Sequence, residues 1–255
     1  MSRKREFLPC KKISRKIGHA AADFSMIRSG DKIMVGLSGG KDSMLLLTSL
    51  YALMHKSPVS FALEAVTLDP TDGTDLSGLA AFTESLGVRH SIVKYPVFKI
   101  LNGAASSSTC SLCANIRRGI LASAAKDAGC VSLALGHHRD DAVETVFLNL
   151  LFAGRFRCFR PNMLMSRTGI RVIRPLIYLP EEDIRTEAAR LALPVVDFGC
   201  RHAPGSKRAF VKSVIASLAG EAENLSENVL HALKNFRHED TWGCASYEED
   251  GYDID

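Results

Sequence analysis

Residues 31–50, DKIMVGLSGGKDSMLLLTSL, restrict what this chain can fold into more than any other stretch. Asp31–Leu37 reads as a buried strand, Ser38–Lys41 as a glycine loop, and Met44–Lys56 as a helix buried along most of one side. Strand, glycine loop, helix is the order in which α/β sheets present phosphate sites. Gly39 and Gly40 let the backbone approach a ligand and take positive φ, while the exposed N–H groups at the helix start favour an anion. Ser38 and Ser43 add hydroxyls and Lys41 a cation. The spacing is not that of G-x-x-x-x-G-K-[ST] nucleotide loops. Asp42 is the odd member, because a carboxylate beside a phosphate repels it unless a metal lies between, which points to Mg²⁺. The plainer reading of the same residues is a Ser/Gly turn with Asp42 capping the helix.

Further along, strands and helices alternate. A helix is expected over 12–28, strands over 60–70, 89–97 and 131–136, and helices over 76–87, 110–129 and 142–154. Residues 171–179, RVIRPLIYL, read as extended, and Pro180-Glu-Glu-Asp opens another helix with proline first and acid in its first turn. The fold class is therefore α/β, an open and mostly parallel twisted sheet with helices on both faces and right-handed crossovers. The expected organisation is a basic helical arm (1–29), a nucleotide-binding catalytic domain (30–205), a helical segment (206–238) and a disordered acidic tail (239–255).

Charge is uneven rather than large. The net charge is +4, yet the first sixteen residues hold seven Lys/Arg against one Glu, and the last eight hold five acids. A basic arm suits a polyanion, although a solvated terminus has the same composition. No apolar run approaches the ~18 residues that span a membrane, and no apolar stretch follows the basic start as in a secretory signal. A cytoplasmic protein with no membrane partner is expected.

Two more constellations carry chemistry. Gly136-His-His-Arg-Asp-Asp141 follows a strand end, where open α/β sheets bind ligands. Arg139 or His137 suits a phosphate, and Asp141 suits a metal contact or the orientation of an attacking group. An N-cap role for Asp140 or Asp141 is the plainer alternative. Seven cysteines are irregularly spaced, and only Cys110 and Cys113 form a C-x-x-C, just ahead of a helix whose N-terminus favours thiolates. In a reducing compartment such a pair is a metal or redox site before it is a structural bridge. Cys10, Cys130, Cys158 and Cys244 have no such setting.

SGGKDS resembles the loop of the PP-loop ATP pyrophosphatase superfamily, the adenine nucleotide alpha hydrolase-like fold. Residues 18–43, 108–121, 133–154 and 172–184 together resemble the tRNA 2-thiocytidine synthetases. That resemblance implies cleavage of ATP into AMP and pyrophosphate, adenylation of the 2-oxygen of an anticodon-loop cytidine, and replacement of that oxygen by sulfur. It implies pyrophosphate contacts from Ser38, Gly39, Gly40, Lys41, Asp42 and Ser43, nucleotide contacts from Gly136 and His137, and catalytic roles for Lys41, Asp42 and Asp141. It also implies ATP, Mg²⁺ and a [4Fe–4S] cluster on Cys110, Cys113 and Cys200, with one iron left open to carry sulfur. This chain has Cys200 alone ahead of Gly205-Ser206, with Pro204 where the family carries a further cysteine. A persulfide pairing of Cys110 or Cys113 with Cys200, and a zinc site completed by His202, are rival readings of the same thiols. Another PP-loop ligase or sulfurtransferase, or a non-catalytic nucleotide-binding regulator, would share the loop.

The implied partners are tRNA and a sulfur donor such as a cysteine desulfurase, in a chain that can form a homodimer. Candidate RNA contacts are the basic arm, Arg117, Arg118, Arg155, Arg157, Arg160, Lys207 and Arg208. Phe156 and Phe159 interleave with arginines in GRFRCFR and suit stacking on an unpaired base. The alternative is a solvated charged face with both rings packed inward.

Overall fold

The sheet is built outward from its most apolar strand. In the computed structural model, which describes residues 7–69, 74–95, 109–196 and 206–237, β1 (Lys32–Leu37) is buried from Ile33 to Leu37. It pairs in parallel with β2 (Ala62–Asp69) on one side and β4 (Ser132–Ala134) on the other. β3 (Arg89–Lys94) extends the sheet beyond β2, and β6 (Arg171–Ile173) beyond β4, both parallel. β5 (Asn162–Leu164) closes that edge as an antiparallel partner of β6, so the order is β3-β2-β1-β4-β6-β5. The mostly parallel α/β sheet expected from the sequence is the sheet observed. Strands covered on both faces read as continuous apolar runs, which is why β1 was legible.

Two helix layers do that covering. Helix α4 (Thr109–Asp127) lies over Met34, Val66 and Leu133, with Ala122, Ala125 and Ile170 completing the cluster. Met34 points toward α4, so Ile33 and Val35 face the other way; both are fully buried, and α2 (Lys41–Lys56) supplies the cover. Helix α2 is itself enclosed, with Met44 to Leu47 and Leu50 fully buried. Truncating one of these leucines to alanine costs about 2–5 kcal/mol. Packed on α2 are α1 (Lys11–Asp23) and α6 (Glu181–Arg190). The short α3 (Ser77–Leu86) precedes β3.

Helix α1 ends at Asp23 rather than at 28. Ser25 takes a left-handed φ of 49°, and the amide of Asn162 donates to the carbonyls of Phe24 and Ser25, which fixes the chain outside the helix. The 171–179 stretch is strand only to Ile173. Arg174 turns inward, almost fully buried, and its guanidinium and backbone N–H donate to the carbonyls of Arg160 and Pro161. The polar demands of one buried arginine therefore end β6 and pin the start of β5.

The chain divides into two compact units, Met1–Arg139 with Arg160–Arg201, and Asp140–Phe159 with His202–Asp255. The first unit holds the sheet. The second, among the described residues, is helical: α5 (Arg139–Ala153) beyond its first residue, α7 (Lys207–Glu221) and α8 (Leu225–Lys234). No helix among the described residues is long and apolar enough to cross a membrane.

Candidate active site at the carboxyl edge of the sheet

The strand order reverses direction at β1. From β1 the chain moves to β2 and β3 on one side, and β4 returns on the other. A crevice opens at such a point outside the carboxyl ends of the two strands, and ligands of open α/β sheets bind there. The two loops that leave β1 and β4 are SGGK and LGHH, the segments singled out by sequence.

The first loop is shaped by its own hydroxyls. Gly39 has φ +75°, a left-handed conformation that side chains disfavour, and Gly40 is extended as the cap residue of α2. The helix therefore begins at Lys41, not Met44, and Lys41, Asp42 and Ser43 form its first turn. Ser43 is buried; its Oγ donates to the Gly40 carbonyl at 2.9 Å and accepts the Ser38 N–H at 3.1 Å. The Ser38 hydroxyl lies 3.2 Å from the same oxygen. Far along the chain, the Val196 N–H donates to the Gly39 carbonyl at 2.9 Å. With these groups held inward, the first-turn N–H groups of α2 face outward as anion donors.

The second loop touches the first. A Cβ on Gly136 would sit 3.1 Å from the Ser43 nitrogen and 3.2 Å from the Asp42 carbonyl carbon. Only glycine lets these backbones approach this closely. His137 is half-buried beside it, His138 is buried, and the Arg139 N–H donates to the Leu179 carbonyl at 3.0 Å.

Lys41 is turned toward acids. Its Nζ lies 2.9 Å from Glu181 Oε1 and 3.2 Å from Asp42 Oδ1. Burial works to lower its pKa, but the Glu181 hydrogen bond and the Asp42 charge outweigh it, and the net direction is upward. The ammonium is thus charged at any physiological pH. Asp42 Oδ1 is shielded from solvent and makes no hydrogen bond of good geometry, Lys41 being near but misaligned. A buried carboxylate oxygen without a proper donor fits a cation, so the loop suits a metal-bound polyphosphate. Glu181 was visible in the sequence only as first-turn acid; its approach to Lys41 depends on the packing of α6 on α2.

The C-x-x-C is at the same edge. The carboxyl end of α4 is tied to the amino edge of the sheet, where Lys32 Nζ donates to the Ala128 carbonyl at 2.6 Å. Leu121 sits 3.5 Å from the Cβ position of Gly36, near the end of β1. Cys113, eight residues earlier, is therefore about 12 Å further along the helix axis, beyond the strand ends. Cys113 is partly exposed; Cys110 is in the first turn of α4 with its side chain outside the described residues, as is Cys200 altogether. Among the described residues no group of three His, Cys, Asp or Glu side chains could hold a metal. Cys130, by contrast, is buried in the cluster under α4, where desolvation pushes its thiol pKa up, so it is a packing residue. A cavity of about 470 Å³ opens at the ends of β2 and β3, lined by Asp69, Thr74, Asp75, Leu76 and Lys94 among others.

The sheet unit also carries Arg117 and Arg118; the latter donates to Asn115 Oδ1 at 2.8 Å. Arg155, Arg157, Lys207 and Arg208 belong to the second unit, and so does Asp141, in the first turn of α5. Here Phe152 lies edge-on to Phe210 with Lys207 Nζ 4.9 Å above its ring, and Phe156 stacks on Phe236 at 5.7 Å. All four rings remain between two-fifths and about half exposed. Arg208 and Lys212 flank the buried Glu144, at 3.6 and 3.3 Å.

Burial pushes the Glu144 pKa above its ordinary 4.5; Lys212 and Arg208 pull it back only in part, and Asp141 pushes the same way as burial. A native carboxyl with a raised pKa holds its proton where the unfolded chain has lost it. Stability is then greatest below 4.5 and falls as pH rises through the native value. Glu144→Gln is expected to raise the melting temperature at pH 7 and flatten its decline above pH ~4.5 in melts run across pH. A lower melting temperature at pH 7 would mean the two ion pairs outweigh the burial.

A glycine loop at a topological switch point, capped by the first turn of a buried helix and closed by a glycine of the neighbouring strand end, defines a PP-loop site. The PP-loop domain family matches residues 9–198, and the chain belongs to it and, within it, to the family of the tRNA-cytidine(32) 2-sulfurtransferases. The enzyme of that name from Aromatoleum aromaticum is 39% identical over 227 residues, 88% of this chain and 72% of that protein. The one from Vibrio vulnificus strain YJ016 is 38% identical over 229 residues, 88% of this chain and 74% of that protein. Among solved structures, the U34-tRNA thiolase from Methanococcus maripaludis with its [4Fe–4S] cluster superposes with a TM-score of 0.70. It covers 88% of this chain and 77% of its own, and at 23% identity it shares the fold.

Proposed function

We propose that this chain is an ATP-dependent tRNA sulfurtransferase that converts cytidine 32 of the anticodon loop to 2-thiocytidine. The observation that carries the reading is the SGGKDS loop packed against Gly136 at the switch point, in a chain about two-fifths identical to tRNA-cytidine(32) 2-sulfurtransferases. In the reaction, the cytidine 2-oxygen attacks the α-phosphorus of ATP and pyrophosphate leaves. A sulfur nucleophile then adds at C2, and AMP departs with the former 2-oxygen. The adenylate is the better leaving group, and the protein's part is positioning and charge neutralisation at phosphorus.

In this reading Ser38, Gly39, Gly40 and Ser43 cradle pyrophosphate with the first turn of α2. Lys41 offsets the charge that develops on it. Asp42 holds Mg²⁺, Asp141 is the second catalytic carboxylate, and Gly136 and His137 border the nucleotide. Cys110, Cys113 and Cys200 would hold the [4Fe–4S] cluster, which when bound supplies an iron for carrying inorganic sulfur. Residues 30–205 form the catalytic region, preceded by the arm (1–29) and followed by the helices of 206–238 and the acidic tail. The exposed, cation-flanked rings of the second unit (Phe152, Phe156) suit an unpaired base, with Arg117, Arg118, Arg155, Arg157, Lys207 and Arg208 on phosphates. A cysteine desulfurase as sulfur donor, a homodimeric assembly and a cytoplasmic location complete the proposal.

Nucleoside mass spectrometry of bulk tRNA tests the function. Deleting the gene should remove 2-thiocytidine, and the wild-type gene should restore it. Undiminished 2-thiocytidine in a deletion strain with no second thiolase would overturn the substrate assignment. Anaerobic purification with iron and sulfide analysis tests the cluster; a Cys113→Ser protein that keeps its full iron content would remove Cys113 from the ligand set.

A further inference from the structure

We infer that Glu181 is a positioning residue for the reaction, acting through Lys41. The inference rests on the reading of the glycine loop as a polyphosphate cradle. Lys41 stands at the first position of α2, and its four-carbon side chain has several rotamers to lose. Glu181 stands at the first position of α6, and its Oε1 takes the ammonium at 2.9 Å. Asp42 Oδ1 lies 3.2 Å from the same nitrogen. An ammonium has three N–H donors. With one donated to Glu181 Oε1 and the head held beside Asp42, the remaining donors are aimed by geometry rather than by chance, and a phosphate oxygen is their natural acceptor.

The backbone around Glu181 is tied to the site as well. Leu179, two residues before it, accepts the Arg139 N–H at 3.0 Å, and Arg139 ends the Gly136 loop. The segment 179–181 thus joins both ligand loops, one through a backbone bond and one through a charge pair. Helix α6 is held from beneath by Ile184, which is fully buried, so Glu181 is presented by a rigid element. Glu181 is two-fifths exposed, and its neighbour Glu182 serves the same end of the helix from the solvent side.

The test uses full-length, anaerobically purified protein, unmodified tRNA and inorganic sulfide as sulfur source, with AMP release as one readout and calorimetric binding of Mg²⁺-ATP as the other. Glu181→Ala is expected to lower kcat for AMP release about tenfold and to weaken Mg²⁺-ATP binding several-fold, with the melting temperature within about two degrees of wild type. Glu181→Gln keeps an oxygen acceptor and should recover a substantial part of the loss. In a Lys41→Ala background, Glu181→Ala should change neither readout further. A Glu181→Ala protein indistinguishable from wild type in both readouts would overturn the inference, and so would an equal loss in the Lys41→Ala background. If wild type releases no AMP with tRNA and sulfide, or Lys41→Ala leaves AMP release untouched, the fault lies with the reading of the loop itself.

Discussion

Asp42→Asn should reduce tRNA thiolation by on the order of 10²–10³-fold while the protein stays folded. The side chain is isosteric, so packing is preserved, and loss of one acid from the first turn of α2 costs only about 0.3–1 kcal/mol of helix stability. What is lost is charge at one point. Asp42 Oδ1 is shielded from solvent and lacks a well-aligned hydrogen bond. An amide there cannot balance a divalent cation, and two negative groups, carboxylate and polyphosphate, no longer share one. The measurement is AMP release against Mg²⁺ concentration, with thermal melts as control. Partial recovery at high Mg²⁺ would accompany the loss. A rate within threefold of wild type at low Mg²⁺ would reduce Asp42 to a first-turn acid and Lys41 partner.

Gly136→Ala is expected to be damaging by a purely steric route. The added methyl would lie 3.1 Å from Ser43 N and 3.2 Å from Asp42 C, and both are backbone atoms that cannot rotate away. Either the β4 loop or the first turn of α2 must move. Overpacking of this kind costs about 1–3 kcal/mol of stability. The backbone must give by a few tenths of an ångström, and since a 1 Å misplacement costs about 10²-fold in rate, a loss on the order of tenfold is expected. Melting temperature and AMP release should therefore both fall, the second far more than the first. Equal and small effects on both would mean that the two loops move as one body and that the close approach has no part in positioning.

These expectations draw on parts of the molecule that differ in how openly the sequence displays them. β1 was legible because burial on both faces leaves an unbroken apolar run, α2 because apolar residues dominate 44–54, although it is enclosed rather than buried along one side, and Gly39-Gly40 marks the turn between them. The C-x-x-C at the start of α4 was legible as spacing, and its place at the carboxyl edge follows from right-handed crossovers. β5 was not legible: three residues, Asn162 to Leu164, paired to β6 across a turn at Gly169, carry no periodicity. The ends of α1 and β6 were misjudged because Asn162 and Arg174 terminate them, through hydrogen bonds to residues distant or turned inward. Glu181 was the most consequential omission. Its role exists only once α6 is packed on α2, and no local pattern distinguishes it from Glu182 beside it.

The basic N-terminus has a consequence of its own. Lys12 and Lys16 both pair with Asp183 of α6, the backbone N–H of Cys10 donates to Glu187 at 2.6 Å, and Arg190 reaches the Leu8 carbonyl. Ile13, Ile17 and Ala20 seat the same segment in the core. The described part of the arm, residues 7–23, whose composition suits a polyanion or plain solvent alike, is thus a strap across the helix that begins with Glu181. Shortening the chain from this end would loosen α6 and, through it, the lysine of the glycine loop. A truncated protein that no longer thiolates tRNA would report a slackened adenylation site as readily as a lost handhold on RNA, and Mg²⁺-ATP affinity is the quantity that separates the two.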